Sequence, residues 1–163
     1  MGGQSVNSWF DTYSFDPSVQ TLYNIEQANQ SYQRISKVIE FEKQFLNNDP
    51  SKIFIGGFSQ GCCMALYIGL TYPGNNFGGV MGFSGYLFKE VSINHCFQKQ
   101  QMPILLFHGL SDNLVPSNFS ISTYQKILQN CVNAKFIKGI GVGHLMSAEA
   151  KMGIKEFLLK YSK

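Results

Sequence analysis

Apolar positions along this chain change their period several times, and each change marks an element. Ile25, Ala28, Tyr32, Ile35, Ile39 and Leu46 recur three and four residues apart, with two turns before the last. That spacing lines one face of a helix. It predicts one long amphipathic helix ending at Asn47-Asn48-Asp49-Pro50, where polar residues and a proline stop it. Beyond the proline the apolar residues become continuous. Segments 52–58, 77–83, 103–107 and 134–138 read as strands, and 60–72, 117–131 and 147–162 as helices. Apolar strands separated by helices imply an α/β fold with a parallel sheet covered on both faces. No repeat, low-complexity tract or linker interrupts the pattern, and 163 residues suit a single domain, 1–163.

Composition narrows the function classes. With 44% hydrophobic and 14% aromatic residues the chain can build a core. Its net charge of +3 comes from scattered lysines, so no nucleic-acid partner is expected. Met1 to Phe10 lack the apolar stretch of a secretory signal. The longest apolar run, around Cys62 to Leu70, is too short to span a bilayer. Cys62, Cys63, Cys96 and Cys131 have neither C-x-x-C nor zinc-ligand spacing, which fits reduced thiols in a cytoplasmic protein. Neither a metal nor an organic cofactor is expected.

The run Ile53-Phe54-Ile55-Gly56-Gly57-Phe58-Ser59-Gln60-Gly61 carries the chemistry. An apolar strand enters G-x-S-x-G and an apolar helix, Cys62 to Ile68, leaves it, as a nucleophile elbow requires. In so tight a turn, side chains two residues either side of the serine should strike neighbouring backbone, and Gly57 and Gly61 would avoid this. Ser59 then projects its hydroxyl from the top of the sheet. A serine nucleophile needs a histidine base oriented by a carboxylate. The histidines are His95, His108 and His144, and the carboxylates beyond Ser59 are Glu90, Asp112, Glu149 and Glu156. In hydrolases built on this elbow the chain order is nucleophile, acid, histidine. With His144 as base, Glu90 and Asp112 are the acids that lie between. Asp112 follows a buried strand and a glycine turn, at the strand end where ligand and catalytic groups gather in parallel sheets. Glu90 follows Lys89 in a polar stretch and reads as surface. His144 follows a strand and the turn Gly139-Ile140-Gly141-Val142-Gly143. His108 reads as a structural histidine bonding loop backbone, and His95 as surface. The expected triad is Ser59, Asp112 and His144.

Five blocks in order resemble the acyl-protein thioesterase, lysophospholipase and carboxylesterase family of α/β-hydrolases. They are Ser8-Trp9-Phe10-Asp11, the G-F-S-Q-G of 57–61, Phe83-Ser84-Gly85-Tyr86-Leu87, His108-Gly109-Leu110-Ser111-Asp112 with Val115-Pro116, and Gly141-Val142-Gly143-His144. The resemblance covers essentially the whole chain, with Cys62 standing where the family more often has glycine. It implies hydrolysis of acyl thioesters or carboxylic esters, in S-acylated proteins or lysophospholipids. Ser59, Asp112 and His144 match the family's triad, and the Gln60 backbone N–H would serve the oxyanion. On the same rim Leu87, Phe88, Leu114, Val115, Leu145 and Met146 would suit a fatty-acyl chain, or would equally serve as core or lid packing.

Family members carry a further stretch before the S-W-F-D block, roughly a third again of this length, with the first strands and a His-Gly-x-Gly-Asp loop. Here the block begins at residue 8, so the resemblance implies an N-terminally truncated domain with about four strands. An oxyanion donor from that loop would be lost, at about 10²–10³ in turnover. The strand Ile53–Phe58 would become an apolar sheet edge, open to a protein partner or a second copy. The alternative to a hydrolase is therefore a catalytically impaired, hydrolase-derived subunit docked through that edge.

Overall fold

The computed structural model describes residues 7–162; the first six residues, which belong to the signal and domain readings above, lie outside that range. Five α-helices and four strands follow in the order α1 (Ile25–Phe45), β1 (Phe54–Phe58), α2 (Gln60–Thr71), β2 (Gly79–Phe83), α3 (Ile93–Gln98), β3 (Ile104–Gly109), α4 (Ser117–Asn130), β4 (Ala134–Gly139) and α5 (Ala148–Tyr161). The strands form one parallel sheet in the order β1-β2-β3-β4. The α/β architecture and the parallel sheet agree with the reading of the sequence.

Alternation within the strands assigns the two faces. Val80, Ile104 and Leu106 point into the larger core layer, beneath α1, α2, α3 and α4. Met81, Phe83, Leu105 and Phe107 point the other way, onto Ala150 and Phe157 of α5. Period-2 geometry makes this division, since successive side chains in a strand face opposite sides. β3 is buried at every position, whereas β1, an edge of the sheet among the described residues, is only partly covered.

Helix ends follow their capping chemistry. The Asn24 side chain accepts from the Gln27 N–H at the start of α1, and the Ser147 side chain accepts from Ala150 at the start of α5. α1 stops where Asn47 and Asn48 take φ of +55° and +57°, a left-handed conformation that asparagine tolerates better than most residues. α3 was not predicted. Its six residues are too few to display a period, and they sit in a segment that reads as polar surface. His95, expected as plain surface, belongs to this helix's cap: its Nδ1 accepts from the Ser92 N–H at 3.0 Å. Glu90 also departs from expectation, being half-buried with its Oε2 accepting from the Tyr23 hydroxyl at 2.6 Å.

All four thiols are free and buried. Burial pushes the Cys62 thiol up to about 12, so it stays protonated and packs as a small apolar group. Among the described residues no helix is long and apolar enough to cross a membrane.

Candidate active site

Ser59 lies between β1 and α2 with φ +56° and ψ −121°, a region that L-residues occupy only under constraint. The constraint is visible at Gly57. A Cβ there would lie 2.1 Å from the Gly61 carbonyl oxygen and 2.2 Å from its carbon, so only glycine lets α2 begin this close to β1. Gly61 corrects the expectation for the second glycine. A Cβ on Gly61 would meet only Trp9 Nε1, at 4.0 Å. What the turn needs at 61 is the path of its carbonyl past Gly57. The Ser59 N–H donates to the Phe83 carbonyl at 2.8 Å, which ties the elbow to the end of β2.

The other two predicted residues arrive from separate strand ends. Asp112 follows β3 and its side chain is fully buried. Its Oδ1 accepts from the N–H groups of Leu114 (3.0 Å) and Val115 (2.9 Å), so the loop holds the carboxylate by its own backbone. Its Oδ2 lies 2.7 Å from His144 Nδ1. A carboxylate accepts, so Nδ1 carries the proton and Nε2 is left as an acceptor, 3.0 Å from Ser59 Oγ. The Phe58 ring packs on the imidazole with centroids 4.7 Å apart. Three residues separated by as many as 85 positions therefore form one hydrogen-bonded chain. Glu90, the competing acid, is engaged instead by Tyr23.

His108 is closer to this chain than its backbone role suggested. Nε2 lies 3.0 Å from the Val115 carbonyl and 3.4 Å from Asp112 Oδ2. Both are acceptors, so Nε2 bears the proton. Nδ1 is buried and has no partner among the described residues. Burial lowers the His108 pKa, because a charged ring here would be poorly solvated.

Gln60 opens α2, so its backbone N–H is among the first-turn donors that no helix residue satisfies. Its side chain does something the sequence did not indicate. Oε1 accepts from the Trp9 N–H (3.1 Å) and Nε2 donates to the Phe10 carbonyl (2.9 Å). The S-W-F-D segment is thus clipped to the elbow, and the arm beyond it, joined by a Thr12–Tyr23 bridge, lies across the site.

That arm makes one wall of a cavity of about 450 Å³ at Ser59, lined by Thr12, Tyr13, Phe15, Gln60, Tyr86, Leu114 and Val115. Of the six apolar rim residues expected from sequence, Leu114 and Val115 line it. Leu87 lines a neighbouring cavity, also of about 450 Å³. Phe88 is fully buried in the larger core layer, Met146 packs in the layer under α5, and Leu145 is half-exposed beside His144; none of the three lines the Ser59 cavity. Tyr86 and Phe15 were missed as lining residues, because the arm and the loop after β2 meet only in three dimensions. On its other side Ser59 borders a groove of about 580 Å³ with Trp9, Arg34, Phe58 and Gly61. Among the described residues no group of His, Cys, Asp and Glu could hold a metal ion.

Comparison with known proteins identifies the family of the chain. A family model described as phospholipase/carboxylesterase matches residues 1–162. An acyl-protein thioesterase 1 of Schizosaccharomyces pombe is 31% identical over 163 residues, spanning 95% of this chain and 69% of the relative. An acyl-protein thioesterase 1 homolog 1 of Dictyostelium discoideum is 28% identical, spanning 98% and 70%. Among solved structures, SOBER1 of Arabidopsis thaliana superposes with a TM-score of 0.78 over 96% of this chain and 74% of its own; at 23% identity this speaks for the fold.

Proposed function

The chain belongs to the phospholipase/carboxylesterase family, and from that premise we propose that it cleaves acyl thioesters or carboxylic esters through Ser59, His144 and Asp112. It is a hydrolase of the esterase and thioesterase class. The observation that carries the reading is the hydrogen-bonded chain from Ser59 Oγ through His144 to Asp112, at 3.0 and 2.7 Å.

In this mechanism Ser59 Oγ attacks the acyl carbonyl carbon while His144 Nε2 takes its proton. Asp112 holds the imidazole in the required tautomer and stabilises its charged form. The Gln60 N–H, with the positive end of α2 behind it, faces the developing oxyanion. His144 then protonates the departing thiol or alcohol, leaving an acyl group on Ser59. A water molecule, deprotonated by His144, attacks that acyl-enzyme and frees the acid. The apolar cavity bounded by Leu114 and Val115 suits the acyl chain, and the groove beside Arg34 suits the leaving group. The substrate would be an S-acylated protein or a lysophospholipid, met in the cytoplasm by a single α/β-hydrolase domain.

The rival reading, a docked subunit without catalysis, has only the open edge Ile53–Phe58 in its favour. That edge suits a further strand from a partner or a second copy, and light scattering tests it: a monodisperse monomer would remove the partner.

The catalytic reading is tested by labelling the purified chain with a fluorophosphonate and measuring its intact mass. One adduct is expected, absent in Ser59→Ala. A folded chain that takes up no label would overturn the reading.

A further inference from the structure

A second imidazole stands at the buried end of the hydrogen-bonded chain. His108 is the fifth residue of β3 and has no exposed side-chain surface. By alternation it shares the face of Ile104 and Leu106, where its ring meets Tyr124 of α4 edge-on with centroids 6.2 Å apart. Its Nε2–H has two acceptors within reach, the Val115 carbonyl at 3.0 Å and, less closely, Asp112 Oδ2 at 3.4 Å. Nδ1 is buried with no partner among the described residues, so the ring bonds through Nε2 alone. Packing by itself gains nothing from a buried nitrogen left bare, because its desolvation is not recovered. The Nε2 contacts are what this ring offers that an apolar side chain would not.

Both contacts bear on one carboxylate. Val115 donates its N–H to Asp112 Oδ1 at 2.9 Å and gives its carbonyl to His108, so this loop residue is held on both sides of its α-carbon. Oδ2, which accepts from His144 Nδ1 at 2.7 Å, also faces the His108 N–H. The Asp112 and His108 side chains are both fully buried, and a partial positive charge there is little screened. It offsets some of the negative charge on which a protonated His144 would lean. Burial lowers the His108 pKa, so the ring presents this N–H in its neutral form. Tyr124, with Cys62 of α2 behind it, is kept protonated by burial. Lys138 stands opposite His108 in the register of β4, but it is exposed and its ammonium lies over the Phe136 ring. Asp112 and His144 are the groups left for His108 to act on.

We propose that His108 is a positioning residue of the Ser59 site: its Nε2–H holds Asp112 in place through Val115 and sets the pH range in which His144 is free to act as base. This rests on the acyl-hydrolase reading above. Loss of the donor has two consequences. The Val115 carbonyl is released, so the N–H that fixes Oδ1 is held less firmly. Oδ2 becomes a barer carboxylate oxygen and favours the charged imidazole beside it, which withdraws the base at low pH.

The experiment is a pH profile of kcat/KM on one acyl thioester, for the full chain and for His108→Met and His108→Gln. Circular dichroism and thermal melts establish that each variant is folded. His108→Met removes the donor. Its kcat/KM should fall about tenfold, the scale of one hydrogen bond to a charged group, and its acid limb should move up by about half a pH unit. His108→Gln can return an N–H to the same two oxygens, and both quantities should stay close to the parent's. Should His108→Met not fold, His108→Asn takes its place, since its shorter amide stops short of the Val115 carbonyl. A folded variant without the donor whose acid limb stays at the parent's pH or moves down overturns the proposal, even where its rate is lower. So does His108→Gln changing as much as the variant without the donor. Absence of Ser59-dependent turnover in the parent is a different failure: it would overturn the hydrolase reading itself, and the positioning role with it.

Discussion

Ser59 and Asp112 are carried by strands of opposite character. β1 lies at an edge of the sheet among the described residues, and Phe58, the residue before the serine, is more than a third exposed. β3 lies between two neighbours, is buried throughout and delivers an acid with no exposed side-chain surface. The serine is held by backbone sterics, through a strained φ/ψ and a glycine against a carbonyl. The acid is held by burial and by two loop N–H groups. Two ways of immobilising a group therefore meet at one imidazole, and they should fail differently.

The largest effect is expected at the buried end. Asp112→Asn keeps an oxygen for the Leu114 and Val115 N–H groups but favours the wrong imidazole tautomer. Turnover should fall by about 10⁴-fold with thermal stability little changed. Steady-state rates beside a melt measure both, and a variant that unfolds instead would show that the carboxylate matters mainly to the loop.

At the elbow the order reverses, with stability affected first. Gly57→Ala drives a Cβ into the Gly61 backbone, which can move only if α2 moves. A loss of about 3 kcal/mol is expected, the upper end for an overpacked site, which corresponds to a fall of roughly 6–12 °C in Tm. Gly61→Ala meets only Trp9 Nε1, at an ordinary contact distance of 4.0 Å, and should change stability by no more than about 1 kcal/mol. Equal losses for the two would mean that the elbow is held by something other than this contact.

The smallest effect sharpens the contrast at β3. Burial lowers the His108 pKa from its ordinary value, so below about pH 6.5 the unfolded chain binds the proton that the folded chain refuses. Stability should therefore decline as pH falls through and below that value, down toward the lowered pKa. His108→Gln should flatten that part of the curve. Melts across this range measure it, and an unchanged slope would mean that His108 is not the group titrating.

Much of this candidate site was legible in the sequence because each of its three residues sits at the end of a strand with its own local signature. Ser59 is framed by two glycines, Asp112 follows the buried strand that ends in Gly109, and His144 follows a glycine-rich turn. The choice of Asp112 over Glu90 rested on position along the chain; in the fold Asp112 lies 2.7 Å from His144, whereas Glu90 is hydrogen-bonded to Tyr23. The cavity was only partly legible. Leu114 and Val115 neighbour Asp112 in sequence and line it, whereas Phe88 and Met146 are equally apolar and equally close to site motifs but face other layers. Apolar character says that a side chain will be buried without saying against what. α3 escaped for a different reason, since six residues show no helical period and its capping by His95 is recognisable only once the turn is folded.

What the sequence by itself determined is the part governed by short-range physics. Side-chain alternation and periodicity specify strands and helices, and Gly57 before Ser59 permits a turn that few other residues could make. The tertiary structure alone decided which side chains share a space. Gln60 reaches back 50 and 51 positions to hold Phe10 and Trp9, and Phe15, Tyr86 and Phe119 meet ring to ring from three separate segments. Such contacts depend on how the sheet stacks its connections over the strand ends, and no local pattern of residues records that distance.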